Sequence, residues 1–223
     1  MQDMDKYDCT IEEREEYYRH IEQQTLLFAG VDYPMILREA EKEADIILWD
    51  GGNNDLPFFK PDLHICLVDS LRPTDEEHYF PGETNVRMAD AVLVAKVDSG
   101  DASSMRQAHM HAEHLKHITK AGVPVFFGQS TVTPDAKDAA TGEPLSAEAA
   151  RKLVQGRRVL VVDDGPTLTH GGMSYGAGYV LAQALGAGEI VDPRPYAQGY
   201  LKQVFEKYSH LENVLPAMGY GDE

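Results

Sequence analysis

The chain has no long apolar run: nothing in its 223 residues approaches the roughly 20 consecutive apolar positions of a membrane-spanning helix. The opening stretch, MQDMDKYDCT, is acidic and polar, unlike a secretory signal or a transit peptide, so the expected compartment is the cytoplasm. Cysteine is scarce. Cys9 and Cys66 form no metal or redox spacing, and Cys66, inside LHICLVD, reads as a small core residue. Positive charge is also in short supply, with 20 Lys plus Arg against 37 acids and a net charge of −17. Such a surface repels nucleic acid and anionic lipid as general partners, although locally converging cations still allow an anionic substrate. Finally, no G-x-x-x-x-G-K-[ST] occurs, so no lysine-bearing loop cradles nucleotide phosphates within this chain.

The residues that are present describe an ordinary globular protein, 43% hydrophobic and 26% charged. Helix-like and strand-like patterns alternate, which predicts an α/β fold with a mostly parallel sheet. Thr10 and Glu13 have the spacing of a capping box ahead of IEEREEYYRHIEQ, and Asp32 is placed to cap YPMILREAEKEA, with Pro34 in its first turn. The short runs DIILW, LHICLV, AVLVAKV, VPVFFG and RVLVV, without strict alternation, read as strands buried on both faces. A crossover helix is predicted over Ala102–Lys120, and STVTPDAKDAATGEPLS reads as an exposed excursion. The expected division is 1–130, the remainder of a P-loop-type nucleotide-binding domain, and 131–223, a C-terminal α/β portion that is a candidate for substrate binding and for continuity with the same sheet.

The stretch ADIILWDGGNND concentrates chemistry at the end of one predicted strand. In open α/β sheets ligands bind at the carboxyl ends of strands, and Asp, Gly and Asn there supply an oxygen donor, close backbone approach and side-chain amides. In P-loop proteins an Asp in this position organises the magnesium shell, and the glycine that follows senses the terminal phosphate. Two strands later Lys96, Val97 and Asp98 follow an apolar run. This Lys-x-Asp resembles the purine-reading motif of GTPases, in which the Lys stem packs on the base and the carboxylate accepts its N–H groups. After the next strand, Gln129 and Ser130 occupy the place of a further base-contacting loop.

Longer runs, among them AGVDYPMILREAEKEADIILWDGGNNDLPFFKPDLHI, YFPGETNVRMADAVLVAKVD, VLVVDDGPTLTHGGMSYGAGYV and LPAMGYG, resemble the cyclic 2,3-diphosphoglycerate synthetase-like family, also described as predicted GTPases. The resemblance covers nearly the whole chain, with about 100–145 least alike. Family members place Asn where this chain has Ala95, ahead of Lys96, Val97 and Asp98, which leaves ATP and GTP both open. They also carry a Rossmann-like region and a P-loop segment upstream. The resemblance therefore implies a three-layer P-loop-type fold that is N-terminally incomplete: a fragment or split half, inactive alone, needing a P-loop-bearing segment or partner chain. It implies nucleotide-dependent phosphoryl chemistry, either ATP-dependent cyclisation of 2,3-diphosphoglycerate or GTP hydrolysis, with Mg²⁺ as cofactor. On that reading Asp50 holds Mg²⁺, and Gly51, Gly52, Asn53 and Asn54 meet the terminal phosphate. The alternative is a non-catalytic ligand-binding or assembly subunit.

Two segments are candidates for a phosphorylated small-molecule substrate. LRPTDEEHYFPGETNVR offers Arg72, His78, Glu83, Asn85 and Arg87, the arginines suiting phosphate unless they pair with neighbouring acids. DDGPTLTHGGMSYGAG offers Thr167, Thr169, His170, Gly171 and Gly172 ahead of a Gly-rich helix whose N-terminal amides suit an anion. HMHAEHLKH, with His109, His111, His114 and His117, lacks a known metal spacing and reads as a solvated helix face. Met35, Met88 and Met173 read as packing residues, and Trp49 as core.

Overall fold

The computed structural model describes residues 2–52 and 55–217. They form two compact units, Met1–Gln129 and Ser130–Glu223. Among the described residues every strand ladder is parallel, and the class is α/β, as the alternation of patterns predicts.

The first unit opens with helices α1 (Gln2–Lys6), α2 (Ile11–Glu22) and α3 (Tyr33–Glu43). The capping box of α2 is formed: the Thr10 hydroxyl accepts from the Glu13 amide at 3.2 Å, and the Glu13 carboxylate accepts from the Thr10 amide at 2.8 Å. Asp32 caps α3 by accepting from the Met35 amide at 3.0 Å, and Pro34 occupies the first turn, where no N–H is needed. There follow β1 (Ile65–Asp69), α4 (Asp75–His78), α5 (Gly82–Met88), β2 (Ala91–Ala95), α6 (Ala102–Ile118) and β3 (Val125–Phe127). The strands pair in the order β1-β2-β3, with Leu67 beside Leu93 and Leu93 beside Phe126. Asp101 starts α6 by accepting from the Ser103 and Ser104 amides, and α5 and α6 pack Val86, Ala108, Leu115 and Ile118 against Val92 and Val94.

One predicted strand is absent. Residues 45–50 join no ladder, and Ile46 and Leu48 are 79% and 89% exposed. β-Propensity describes fitness for a pleated, half-buried surface rather than an intrinsic backbone preference. The DIILW run has the composition of a strand but, among the described residues, no neighbouring strand to complete it. Met35 and Met88 are likewise exposed rather than packed.

The second unit contains α7 (Ala147–Val154), β4 (Arg158–Val159), β5 (Val162–Asp164), α8 (Gly165–Thr169), α9 (Ala177–Ala184), β6 (Glu189–Ile190), α10 (Gly199–Lys207) and β7 (Leu215–Ala217). RVLVV, predicted as one strand, is two. β4 pairs with β6 and β5 with β7, and the chain shifts between partners at Leu160 and Val161. Leu168, Val204, Leu211 and Val214 form the centre of this unit's core. No helix among the described residues is long and apolar enough to cross a membrane.

Candidate functional site

The carboxyl edge of the β1–β3 sheet gathers a cluster of polar side chains in the first unit. β1 ends in Asp69, in register with Ala95 at the end of β2, so the next residue, Lys96, reaches back across the strand ends. Its ammonium donates to Asp69 Oδ2 at 2.8 Å, and Arg72 Nε donates to the same oxygen at 3.1 Å. Asp69 Oδ1 accepts from the Leu71 amide at 3.0 Å. Burial alone would push the Asp69 carboxyl up; the hydrogen bonds from Lys96 and Leu71, with the charges of Lys96 and Arg72, outweigh it and hold the group below its usual range. Beneath this cluster, the buried Ser70 hydroxyl donates to the Lys96 carbonyl at 3.1 Å, and Gln107 donates to the Ser70 carbonyl at 3.1 Å.

Lys96 has φ +60°, the left-handed region that residues with a Cβ enter at a cost. Val97 is buried beside it, and its amide donates to the Gly128 carbonyl at 3.0 Å, anchoring the turn to β3. Asp98 is braced on two sides: its amide donates to Ser104 Oγ at 2.9 Å, and its Oδ1 accepts from the Gly100 amide at 2.8 Å. Gln129 lies at the end of this edge, with Ser99 Oγ 3.5 Å from its Oε1. The structure therefore brings Lys96, Asp98, Gln129 and Arg72 together at one edge. Asp69 belongs with them and is absent from the sequence-derived set. An acid closing the apolar run ICLV was the available signal, the same one that singled out Asp50.

The remaining candidates are distributed differently. Asp50 is exposed, in the extended segment before the glycines. Gly51 lies under the Trp49 ring, whose Cη2 would be 2.2 Å from an added Cβ, so its lack of a side chain has a packing cause. Trp49 is half-buried, edge-on to Phe58 at 5.9 Å between ring centres. The Gly52 amide donates to Asp55 Oδ2 at 3.0 Å, and Asn53 and Asn54 lie outside the described residues. Asn85 holds this loop: its Nδ2 donates to the Asp55 carbonyl at 2.8 Å, and its buried Oδ1 has no hydrogen-bond partner. Arg87 points elsewhere, paired with Glu83 at 2.7 Å and approaching the carbonyl of Ile118 at the far end of α6. His78 caps its own turn through the Thr74 carbonyl at 2.7 Å.

The histidine-rich face of α6 corrects the expectation of full solvation. His111 is buried with Nε2 2.7 Å from Glu76, and His114 pairs with Glu77, so α4 is clamped onto α6. His109 rests edge-on against Phe127, and His117 is exposed. Burial raises the Glu76 carboxyl, and the hydrogen bond and charge of His111 together with backbone hydrogen bonds more than reverse it, leaving the group below its usual range. Burial, with the charge of Glu76, pushes the Cys66 thiol up to about 11, consistent with a core cysteine. Among the described residues no group of three or more His, Cys, Asp or Glu is arranged to hold a metal.

In the second unit the helix N-terminus at α9 already has its anion. The buried Asp163 carboxylate accepts from the amides of Gly176 at 2.8 Å, Gly178 at 2.7 Å and Tyr179 at 3.3 Å. The preceding candidates satisfy one another locally. Thr167 donates through its amide and hydroxyl to Asp164, and Thr169 Oγ1 donates to the Gly165 carbonyl with His170 Nδ1 3.0 Å away. The Gly171 amide donates to the Pro166 carbonyl, and Gly172 has φ +65°. Ser130 falls in this unit and is exposed.

Comparison with known proteins adds a name to this geometry. The chain is similar to arginine synthetase ArcE of Thermococcus kodakarensis. The two are 51% identical over 223 residues, covering 99% of this chain and 45% of that protein. The chain thus spans less than half the length of the curated relative it matches. No family model matches the chain, and no solved structure does.

Proposed function

We propose that this chain is the sheet-edge portion of a nucleotide-dependent synthetase that forms arginine, acting with a phosphate-binding segment that the chain itself lacks. The observation that carries the reading is the grouping of Asp69, Lys96, Asp98 and Gln129 at the carboxyl edge of a parallel sheet, where open α/β folds take their ligands. The similarity to arginine synthetase ArcE, which covers 99% of this chain, supports it. ATP or GTP is the nucleotide. The Lys96 stem lies against the base and Asp98 Oδ2 receives its N–H groups, while Oδ1 stays fixed by Gly100. Mg²⁺ suits the exposed Asp50 carboxylate, because that ion takes only one or two protein oxygens beside substrate phosphates. Its charge neutralisation would serve phosphoryl transfer, with Gly51, Gly52, Asn53 and Asn54 on the terminal phosphate.

The resemblance of DGGNND and DGPTLTHG to the cyclic 2,3-diphosphoglycerate synthetase-like family favours a second substrate, 2,3-diphosphoglycerate, with cyclisation or plain GTP hydrolysis as the reaction. The geometry favours it less. Arg87 is engaged by Glu83, Arg72 by Asp69, and the α9 amides by Asp163. The deciding experiment is calorimetric titration of Mg-ATP, Mg-GTP, arginine and 2,3-diphosphoglycerate. It is run on this chain and on one joined to a P-loop-bearing segment, with nucleotide turnover measured in parallel. Arginine and nucleotide binding, with turnover only in the joined protein, supports the synthetase. Binding of diphosphoglycerate in place of arginine overturns the arginine reading, and binding without turnover in either protein makes the chain a ligand-binding subunit.

A further inference from the structure

Among the described residues of the first unit, the β1–β3 sheet is covered on one face only. In a parallel ladder, residues in register share a face, so Cys66, Val92 and Val125 line one side together with Val68, Val94 and Phe127. That side packs against α5 and α6. Ile65 and the row Leu67, Leu93, Phe126 project from the other, where Ile65 is 51%, Leu67 65% and Phe126 57% exposed. Parallel sheets with one face in water are rare, because their crossover connections normally place helices on both. An open patch of large aliphatic and aromatic side chains marks an interaction surface. The strand-like run with exposed Ile46 and Leu48 lies in the same unit and joins no ladder among the described residues.

We infer that this bare face is the docking surface for an amphipathic helix from the portion of the synthetase that lies outside the match to the Thermococcus protein. More than half of that relative's length is outside the matched region, which is ample for a covering helix and for a strand to pair with residues 45–49. The occupant's chemistry follows from the surface. It presents an uncharged stripe of Leu, Ile, Val or Phe at helical spacing, because the face offers no polar side chain along the Leu67–Leu93–Phe126 row to satisfy a buried charge. The inference extends the proposed function from ligands to assembly, yet it is read without any nucleotide, so either can fail alone.

The test is co-expression of this chain with the unmatched portion of the Thermococcus protein, followed by affinity measurement and light scattering, without nucleotide. A one-to-one complex is expected. Leu67→Asp with Phe126→Asp should weaken it by about 100-fold or more, because two carboxylates would be buried against an apolar stripe. The same substitutions should leave the circular dichroism of the lone chain unchanged and its melting little altered, since both side chains are already more than half exposed. Phe126→Asp alone, with a smaller loss, serves if the double variant folds poorly. Absence of a complex, a complex indifferent to these substitutions, or a self-dimer of this chain that they dissolve would each overturn the assignment. Nucleotide binding, titrated separately on the wild-type complex, tests the synthetase reading and leaves the docking result untouched.

Discussion

The Lys96 ammonium donates to Asp69 Oδ2 over 2.8 Å, joining the carboxyl ends of two adjacent parallel strands. Lys96 does so from a left-handed backbone conformation, at φ +60°. Removing its side chain therefore has two separable consequences. Lys96→Ala should lose the ion pair and keep the strain, whereas Lys96→Gly should lose the ion pair and relieve it. Urea unfolding should find the Gly variant more stable than the Ala variant by about 1 kcal/mol. Equal stabilities would mean that the turn carries no strain.

The same pair sets an acid response. Asp69 is held below its usual range in the folded chain, so its ionised form stabilises the fold above the unfolded carboxyl's pKa. That contribution is lost as pH falls through the depressed folded value, below about 3.9. In Lys96→Ala the carboxyl should titrate at higher pH, because burial still raises it and one of its offsetting partners is gone. Carbon-13 NMR of the Asp69 carboxyl checks this, and an unmoved titration would show that Arg72 and Leu71 suffice.

How much of this edge was legible in the sequence depends on whether a feature is local. Caps are local, and Thr10 with Glu13 and Asp32 could be read from spacing alone because each closes a hydrogen bond within one turn. The runs that became β1, β2 and β3 were legible because their partners lie within the chain. DIILW had the same composition without a partner among the described residues, and composition cannot supply a ladder. Asp69 was passed over because Asp50 carried the more conspicuous glycines, although both acids close an apolar run. The amides of α9 were read as open because the carboxylate that fills them, Asp163, precedes them by 13 residues.

The clamp between α4 and α6 predicts a second acid-sensitive contribution. Glu76 is depressed below its usual range by His111, so its stabilisation is present near neutrality and fades as pH falls through the folded value, below about 4.3. Glu76→Gln should remove this part of the pH dependence and cost about 1–3 kcal/mol at pH 7, since a buried charge-assisted hydrogen bond is replaced by a neutral one. Glu77→Gln, at the more exposed pair with His114, should cost less. Thermal melts from pH 3 to 7 distinguish the two; identical profiles would place the acid sensitivity elsewhere.

Asp163 should be among the most sensitive positions of the second unit. Its carboxylate accepts three backbone amides at the start of α9 while 5% exposed, and Asp163→Asn would turn a donor group toward donors. A loss of about 3 kcal/mol is expected by urea unfolding. Gly178→Ala should be comparably damaging, because its Cβ would lie 2.7 Å from Asp163 Oδ1. A well-tolerated Gly178→Ala would show that the loop can move away from the carboxylate.

The glycine after Asp50 separates packing from chemistry. Any Cβ at Gly51 would lie 2.2 Å from Trp49 Cη2, so Gly51→Val must lift the indole off the loop. With one tryptophan in the chain, fluorescence reports that movement directly, and a red shift toward a more hydrated indole is expected. Asp50 is exposed, so Asp50→Asn should leave the emission and the melting temperature unchanged. In a protein joined to a P-loop-bearing segment, the proposed Mg²⁺ role of Asp50 predicts that Asp50→Asn reduces Mg²⁺-dependent turnover by about 100-fold, the carboxylate being the oxygen that would hold the ion's hydration shell. A change confined to Gly51→Val, with Asp50→Asn fully active, would reduce WDGGNND to a turn shaped by its tryptophan. A silent Gly51→Val beside an inactive Asp50→Asn would leave the glycine free to serve the phosphate.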